Sequence, residues 1–379
     1  MKKVINTEKL PIKMWLEDIE ENAMNQARNL ANLPFVYKWI SIMPDSHSGY
    51  GMPIGGVMAT NGVIVPNAVG VDIGCDMRAI KTSLTDIATE ELKLAMGKIR
   101  EVVPVGFTHQ NENQLWDGFD KAPDIQIIQA ELPSSRKQLG TLGGGNHFIE
   151  IQKGSDNHIW IMTHSGSRNF GLKTANVYHK IAQQLCNRWF SEIPDKDLAF
   201  LPIESPEGKE YFQAMKYCLE FARANRQLMM KNVLSCLSSV KECNALDEID
   251  IHHNYAAFEN HYGKDVLVHR KGATKASLGL TGIIPGSMGT ASYITEGLGN
   301  PESFESCSHG AGRRMGRKEA ERTLNLEEEQ EKMTGIVHGL RSVSNLDEAP
   351  GAYKSIDEVM KNQEDLVKIK VSLKPLANI

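Results

Sequence analysis

The spacing of apolar residues along the chain predicts a set of amphipathic helices. In these segments hydrophobic side chains recur every three to four positions, the period at which one face of a helix meets a core. The longest segment carries Phe212, Met215 and Phe221 and follows Pro206, a residue favoured in a first helical turn. The predicted helices cover residues 16–32, 85–102, 172–189, 207–240, 317–324 and 356–361.

Short β-branched runs and glycine-dense stretches alternate with these helices. Residues 57–59 (VMA) and 159–162 (IWIM) are typical of buried strands. Glycine is concentrated in residues 49–74, 140–145, 272–289 and 310–316, which predicts tight turns and loops. With no internal repeat and no Pro/Ser-rich linker, the chain is expected to form one large α/β (α+β) domain over residues 1–379. We expect mixed β-sheets, glycine-rich active-site loops and a helical block near residues 170–243, which is a candidate subdomain.

Composition and charge then exclude several classes of protein. The 379 residues are 41% hydrophobic and 23% charged, with a net charge of −5, which is ordinary globular usage rather than a disordered or fibrous pattern. A globally basic nucleic-acid-binding protein is excluded, whereas a local basic groove is not. No apolar run reaches the ~18 residues of a membrane span, and the polar N-terminus does not resemble a secretory signal. We therefore expect a cytoplasmic protein with reduced thiols and no membrane partner.

The residues able to carry chemistry stand in the glycine-rich loops. Asp72 and Cys75 lie three positions apart, and a turn closed by Gly74 would bring them together. A carboxylate and a thiolate converging beside imidazoles would form a transition-metal site. Taken alone, the pair is better explained as a turn cap and a small buried thiol.

Three histidines would complete such a site. His147 follows three glycines, and His164 ends the strand predicted at residues 159–162. Adjacent residues of a strand face opposite ways, so only one of His252 and His253 is expected to be a ligand. One Asp, one Cys and three His could hold one or two divalent metals, and the residues alone do not choose between zinc, manganese and iron.

A small-residue loop at 309–312 (HGAG) precedes two arginines that are suited to hold phosphate, Arg313 and Arg317. His309 beside a metal could be a general acid, a further ligand or a nucleophile toward phosphorus. Residues 285–290 (PGSMGT) suit phosphate oxygens or a base edge. The sequence has no phosphate-binding loop of the G-x-x-x-x-G-K-[ST] type, so that class of NTPase is excluded. The residues themselves thus indicate metal-assisted phosphoryl chemistry.

These motifs, in their order along the chain, resemble those of the RtcB family of RNA ligases. The matching segments are 44–56 (PDSHSGYGMPIGG), 72–75 (DIGC), 144–148 (GGNHF), 164–168 (HSGSR), 253–254 (HN), 269–274 (HRKGAT), 285–289 (PGSMG) and 309–313 (HGAGR). The resemblance implies an enzyme that uses two Mn²⁺ ions and GTP. Its reaction would join an RNA 3′-phosphate or 2′,3′-cyclic phosphate to a 5′-hydroxyl in tRNA splicing or RNA repair.

The resemblance also implies roles for individual residues. Cys75 would bridge the two metals, with Asp72 and His147 in one coordination shell and His164 and His253 in the other. His309 would attack the α-phosphorus of GTP and carry GMP, which would then pass to the RNA 3′-phosphate to give an RNA 3′-ppG intermediate. Positions implied to contact GTP are Asn146, Glu150, Asn254, Pro285, Gly286, Ser287, Met288, Ser292, Gly310, Ala311 and Gly312. Positions implied to contact phosphate or RNA are Arg168, Arg313 and Arg317. Whether an archease-like activator or a release-factor-like partner is needed stays open.

Two positions depart from the family pattern. Family members usually end in a basic residue associated with the guanine, whereas residues 374–379 here read KPLANI. Gly316 stands where the family commonly has Ser. Because the chain is also short for the family, it could be a specialised paralogue. Two alternatives to the ligase remain: a metal-dependent phosphodiesterase that only opens cyclic phosphates, and an RNA-binding repair factor without turnover.

Overall fold

The computed structural model describes residues 1–379 and contains strands, helices and short 3₁₀ turns in a mixed arrangement. The strands are β1 (Lys3–Ile5), β2 (Ile12–Met14), β3 (Val36–His47), β4 (Ile54–Thr60), β5 (Val63–Ile64), β6 (Asp76–Thr82), β7 (Phe148–Gly154), β8 (Ile159–Ser165), β9 (Leu201–Pro202), β10 (Ala245–His252), β11 (Asn254–His261), β12 (Lys264–Lys271), β13 (Ala273–Lys275), β14 (Thr281–Ile284), β15 (Ser292–Gly297), β16 (Ser306–Ser308) and β17 (Val367–Asn378). The helices are α1 (Glu21–Ala31), α2 (Pro66–Val69), α3 (Thr89–Val102), α4 (Gln126–Gln138), α5 (Asn169–Arg188), α6 (Pro206–Ser238), α7 (Arg317–Thr323), α8 (Leu326–Lys332) and α9 (Ile356–Asn362).

Two large sheets form the framework. The first has six strands in the order β1-β2-β3-β4-β12-β11, and the second has seven in the order β10-β6-β8-β7-β17-β15-β14. The β2–β3 pair is parallel, whereas the other pairs within these sheets are antiparallel. The expectation of an α/β fold with mixed sheets is therefore confirmed.

The predicted helices are present, with shifted ends and some omissions. Helix α1 begins at Glu21 rather than at residue 16, because the chain before it pairs as β2 and then turns. Helix α4 was not foreseen, since it contains Pro133 in its interior, where proline normally ends a helix. Helix α8 was also missed, because its Glu-rich sequence has no clear apolar stripe.

Helix α6 ties the helical block into the rest of the core. Its first half packs against α5 through side chains such as Tyr211 and Phe221. Its second half, including Met229 and Val233, joins the apolar cluster beneath β7 and β8. This packing supports the prediction of a single domain. None of the helices combines the length and the apolar character needed to cross a membrane.

Antiparallel pairing gathers the glycine-rich loops at one end of each sheet, because the start of one strand then lies beside the end of the next. In the second sheet this end holds the starts of β6 and β7, the ends of β8 and β10, and the loop between β14 and β15. Strand β17 lies between β7 and β15 and so connects the two halves of this sheet. In the first sheet the corresponding end holds the end of β3 and the end of β12.

Candidate active site

Cys75 lies at the centre of a cluster of possible metal ligands. Its Sγ is 3.3 Å from His147 Nε2 and 3.1 Å from His164 Nε2. The His164 and His253 Nε2 atoms are 3.3 Å apart, and Asp72 Oδ2 lies 3.3 Å from His147 Nε2. The donors form two groups that share Cys75, one with Asp72 and His147 and the other with His164 and His253. The structure thus brings together all five residues that the sequence proposes as ligands.

The local backbone explains how Asp72 and Cys75 converge. Cys75 N–H donates to the Asp72 carbonyl at 3.1 Å, which closes a turn, and Gly74 has a φ of +75°. A Cβ at Gly74 would also lie 2.8 Å from Ala222 Cβ on α6, so a larger residue would be both strained and crowded. The expected convergence of the pair is therefore observed.

The two adjacent histidines face opposite ways, as their positions predict. His252 Nδ1 lies 2.5 Å from Asp76 Oδ2, outside the ligand cluster. His253 is buried and contacts His164 instead. Of the two residues, only His253 offers a nitrogen to the cluster.

The buried histidines His164 and His253 are neutral, so their Nε2 lone pairs can point into the cluster. His164 Nδ1–H donates to the Asn146 carbonyl at 2.9 Å, so Nε2 carries the lone pair. Burial lowers the pKa of His164 to about 3 and holds the pKa of His253 well below its usual value. Burial, with the nearby Asp72 carboxylate, raises the pKa of the Cys75 thiol well above its ordinary range. Neutral imidazoles and a thiol facing each other at 3.1–3.3 Å fit a bound divalent cation, which would stabilise the thiolate.

His309 lies beside this cluster and is held by Asp45. The ring centroids of His309 and His253 are 4.9 Å apart. His309 Nδ1 lies 2.6 Å from Asp45 Oδ2, and the backbone N–H of His309 donates to the same oxygen at 3.1 Å. Because the fully buried Asp45 carboxylate accepts a hydrogen bond from His309 Nδ1–H, His309 Nε2 keeps its lone pair for a reacting atom.

Asp45 has no role predicted from the sequence, although it lies in the motif at residues 44–56. The available signal was an acidic residue that directly follows the apolar residues Ile42, Met43 and Pro44 in β3. Gly312 shows how closely the two segments approach, since a Cβ there would lie 2.1 Å from the Asp45 carbonyl oxygen. Only glycine therefore fits at this point of the His309 loop.

The candidate residues share one cleft of about 1100 Å³. The five proposed metal ligands, His309 and most of the implied GTP-contacting positions line it. Ser292 lies behind the cleft wall, where its Oγ accepts from Gly286 N–H at 3.2 Å and from Gln152 Nε2 at 3.1 Å. Its contact is therefore with the 285–288 loop rather than with the open cleft.

The three arginines differ in how free their guanidinium groups are. Arg168 donates to Thr141 Oγ1 at 2.9 Å and to the Gly106 carbonyl at 2.7 Å, and so braces the loop that leads to His147. Arg313 is engaged with Glu348 and two backbone carbonyls, so a phosphate would have to displace these contacts. Arg317 pairs with Glu348 as well, at 3.1 Å, but is about half exposed at the mouth of the cleft.

Glu150 is a buried carboxyl group without a cation partner. It is 3% exposed and accepts from Gln152 Nε2, and burial raises its pKa to about 8. Glu150 is therefore largely protonated at pH 7 and can donate as well as accept a hydrogen bond.

Replacement of Glu150 is expected to change the pH dependence of the free energy of unfolding. Between pH 4.5 and 8 the folded chain holds a proton on Glu150 that the unfolded chain has lost, so the free energy of unfolding falls as pH rises. Glu150→Gln removes this dependence, and we expect it to raise the free energy of unfolding by ~2–4 kcal/mol at pH 8 and very little at pH 4.5. Urea denaturation of the metal-free protein across this range measures the difference. The exposed Glu204→Gln is the control, and a Glu150→Gln effect that did not change with pH would contradict the assignment.

The donor cluster around Cys75, with the carboxylate-held His309 beside it, would suit a divalent metal and phosphoryl transfer. The family model described as "tRNA-splicing ligase RtcB" matches residues 26–379. The chain is 38% identical to the RNA-splicing ligase RtcB of Escherichia coli strain K12, over 98% of this chain and 97% of that protein. It is 34% identical to the tRNA-splicing ligase RtcB of Thermococcus kodakarensis, over 90% of this chain and 87% of that protein. The chain belongs to the RtcB family.

Proposed function

We propose that this chain is an RNA ligase that joins RNA 3′-phosphate or 2′,3′-cyclic phosphate ends to 5′-hydroxyl ends in RNA splicing or repair. Membership of the RtcB family over nearly the whole chain supports the ligase class. The observation that carries the mechanism is His309, which lies beside the five-donor cluster with Nδ1 bound to Asp45 and Nε2 free.

Two Mn²⁺ ions and GTP are the proposed cofactors. Asp72, Cys75 and His147 would hold one ion, and His164, His253 and the shared Cys75 the other, in agreement with the two donor groups. Bound there, the ions would supply positive charge against the phosphate oxygens of the transition state. The donor set itself accepts several divalent metals, and manganese is proposed from the family resemblance.

His309 would act as the nucleophile. Its Nε2 lone pair would attack the α-phosphorus of GTP, forming an N–P bond and breaking the bond to the β-phosphate oxygen, so that pyrophosphate leaves. The Asp45 carboxylate keeps the proton on Nδ1 and stabilises the positive charge that develops on the ring. The product would be GMP held on His309 as a phosphoramidate.

The GMP group would then pass to the RNA. An oxygen of the RNA 3′-phosphate would attack the GMP phosphorus and break the N–P bond, giving the RNA 3′-ppG end and restoring neutral His309. The 5′-hydroxyl of the second RNA end would attack the 3′-phosphorus, form the new phosphodiester and release GMP. A 2′,3′-cyclic phosphate would first be opened by water to a 3′-phosphate.

Nucleotide recognition would rest on the cleft walls. Backbone and amide groups suited to phosphate and sugar line the cleft. They belong to the 285–288 loop, Asn146, Asn254 and the small residues after His309. A protonated Glu150 could pair with a purine edge. Near the end of β17 the cleft wall carries Asn378, whose Nδ2 donates to the Met288 carbonyl at 3.3 Å. The proposed phosphate contacts are Arg168, Arg313 and Arg317. A cytoplasmic location and an archease-like or release-factor-like partner remain predictions from the sequence.

Joining of defined RNA ends tests the function. The enzyme is incubated with Mn²⁺, GTP and two RNA strands, one with a 5′-hydroxyl and the other with a 3′-phosphate, a 2′,3′-cyclic phosphate or a 3′-hydroxyl. We expect joined product with the first two end types and none with the 3′-hydroxyl end. Opening of the cyclic phosphate without any joining would instead identify a phosphodiesterase, and RNA binding without either reaction would identify a non-catalytic factor.

A further inference from the structure

Two neighbouring residues of α6 lie directly behind the candidate metal ligands. Asn225 and Arg226 are both fully buried, and neither lines the cleft. Consecutive helical residues point about 100° apart, so the two side chains reach different loops. Between them they contact every histidine-bearing or cysteine-bearing segment of the cluster.

Arg226 connects the segments that carry Cys75 and His164. Its Nη1 donates to the Gly74 carbonyl at 3.1 Å and to the Ser165 carbonyl at 3.2 Å. Gly74 directly precedes Cys75, and Ser165 directly follows His164. One guanidinium nitrogen thereby fixes the two backbone segments whose ligand atoms lie 3.1 Å apart.

The same guanidinium group reaches the segment of His253 through carboxylates. Arg226 Nη2 pairs with Asp250 Oδ1 at 2.8 Å, and Nη1 lies 3.3 Å from Asp76 Oδ2. The other Asp76 oxygen accepts the backbone N–H of His253 at 2.9 Å. Asp76 and Asp250 are almost fully buried, so their charges need compensation, which Arg226 shares with His252 at Asp76 and with Arg78 at Asp250.

Asn225 holds the loop that leads to His147. Its Oδ1 accepts from Gly140 N–H at 2.7 Å and from Thr141 N–H at 3.1 Å. Its Nδ2 donates to the Thr141 and Gly166 carbonyls, each at 3.1 Å. The side chain therefore joins the start of the His147 loop to the end of the His164 segment.

We propose that Asn225 and Arg226 form a positioning pair that sets the spacing of the metal ligands and so the affinity and geometry of metal binding. This inference rests on the metal site put forward under the proposed function. Substitution of residues that hydrogen-bond to metal ligands or to their backbone segments typically changes metal affinity ~10–100-fold. A guanidinium fork can hold two carbonyls and two carboxylates at once, whereas the single ammonium of lysine cannot.

Arg226→Lys tests the proposal because it keeps the positive charge beside Asp76 and Asp250. Metal-free protein is titrated with Mn²⁺ by calorimetry and with Co²⁺ by absorption, where the thiolate-to-cobalt band reports on Cys75. We expect the variant to remain folded by circular dichroism, to bind Mn²⁺ ~10–100-fold more weakly and to show a shifted cobalt spectrum. These readouts concern metal binding and not turnover, so a purely structural role would not move them.

Arg270→Lys is the matched control. Arg270 is also fully buried and paired with a carboxylate, Glu259, but it holds no backbone group of the ligand-bearing segments; of these segments it reaches only the Tyr255 hydroxyl, two positions after His253, at 3.0 Å. The Arg270→Lys variant is expected to have a lower unfolding temperature, with the Mn²⁺ affinity and the cobalt spectrum of the wild type. If Arg226→Lys is folded and binds metal like wild type, or if the two variants lose affinity equally, the positioning role is wrong.

A second variant covers the case in which Arg226→Lys does not fold. Asn225→Ser removes the contacts to the His147 loop without unpairing a buried charge, and weaker Mn²⁺ binding by this folded variant would support the pair. Wild-type affinity in Asn225→Ser would overturn it. A wild-type protein that binds no metal at all would instead reject the proposed metal site, so the two failures are distinguishable.

Discussion

His309→Ala is expected to abolish transfer of GMP to the protein. With α-labelled GTP and Mn²⁺, the wild-type chain should retain label in a bond that is stable to alkali and released by acid, as a phosphoramidate is. The variant lacks the attacking nitrogen, so we expect labelling to fall by at least ~1,000-fold. Its metal content should be unchanged, because His309 belongs to neither donor group.

Asp45→Asn is the matched variant for this experiment. The amide keeps the size of the carboxylate, but its NH₂ group can donate to Nδ1, which would move the ring proton to Nε2 and remove the attacking lone pair. We expect a large loss of labelling with normal GTP binding. Label on His309→Ala would reject His309 as the nucleophile. Absence of label from wild type with every nucleotide tried would reject the nucleotidyl mechanism and favour the phosphodiesterase.

Cys75→Ala is expected to remove metal from both halves of the cluster. The two donor groups have only Cys75 in common, so its loss should weaken both sites at once, by more than ~100-fold. Metal content per chain after dialysis against Mn²⁺ measures this directly. Opening of cyclic phosphate and transfer of GMP should then fail together, unlike the selective failure expected for His309→Ala.

Cys243→Ala provides the comparison for this loss. Cys243 is another buried thiol, packed in an apolar cluster beside α3 and α6 rather than among possible ligands. It should retain the metal content of wild type. If Cys75→Ala bound as much metal as Cys243→Ala, a shared cysteine ligand would be ruled out.

The sequence predicted the mixed sheets and the ligand cluster because both leave local signals. Glycine-rich turns mark the loops, and the order of motifs indicates a family with a known site. Asp45 and the Asn225–Arg226 pair left no comparable signal. Asn225 lies at least 78 positions along the chain from Asp72, Cys75 and His147. Its contacts therefore depend on how α6 packs against the sheet. Helix α4 was missed because Pro133 is a local signal against a helix, whereas tertiary packing of α4 in the apolar core overrides that signal.

Strand β17 has a consequence for how the molecule is made. It inserts between β7 and β15, yet its residues leave the ribosome more than two hundred positions after β7. Until they arrive, the sheet has two open edges in its interior, and open edges invite pairing with other chains. The 285–288 loop also gains its hydrogen bond from Asn378 only when β17 is in place. A nascent chain therefore lacks Asn378 and Ile379 from the wall of this cleft until β17 has been synthesised.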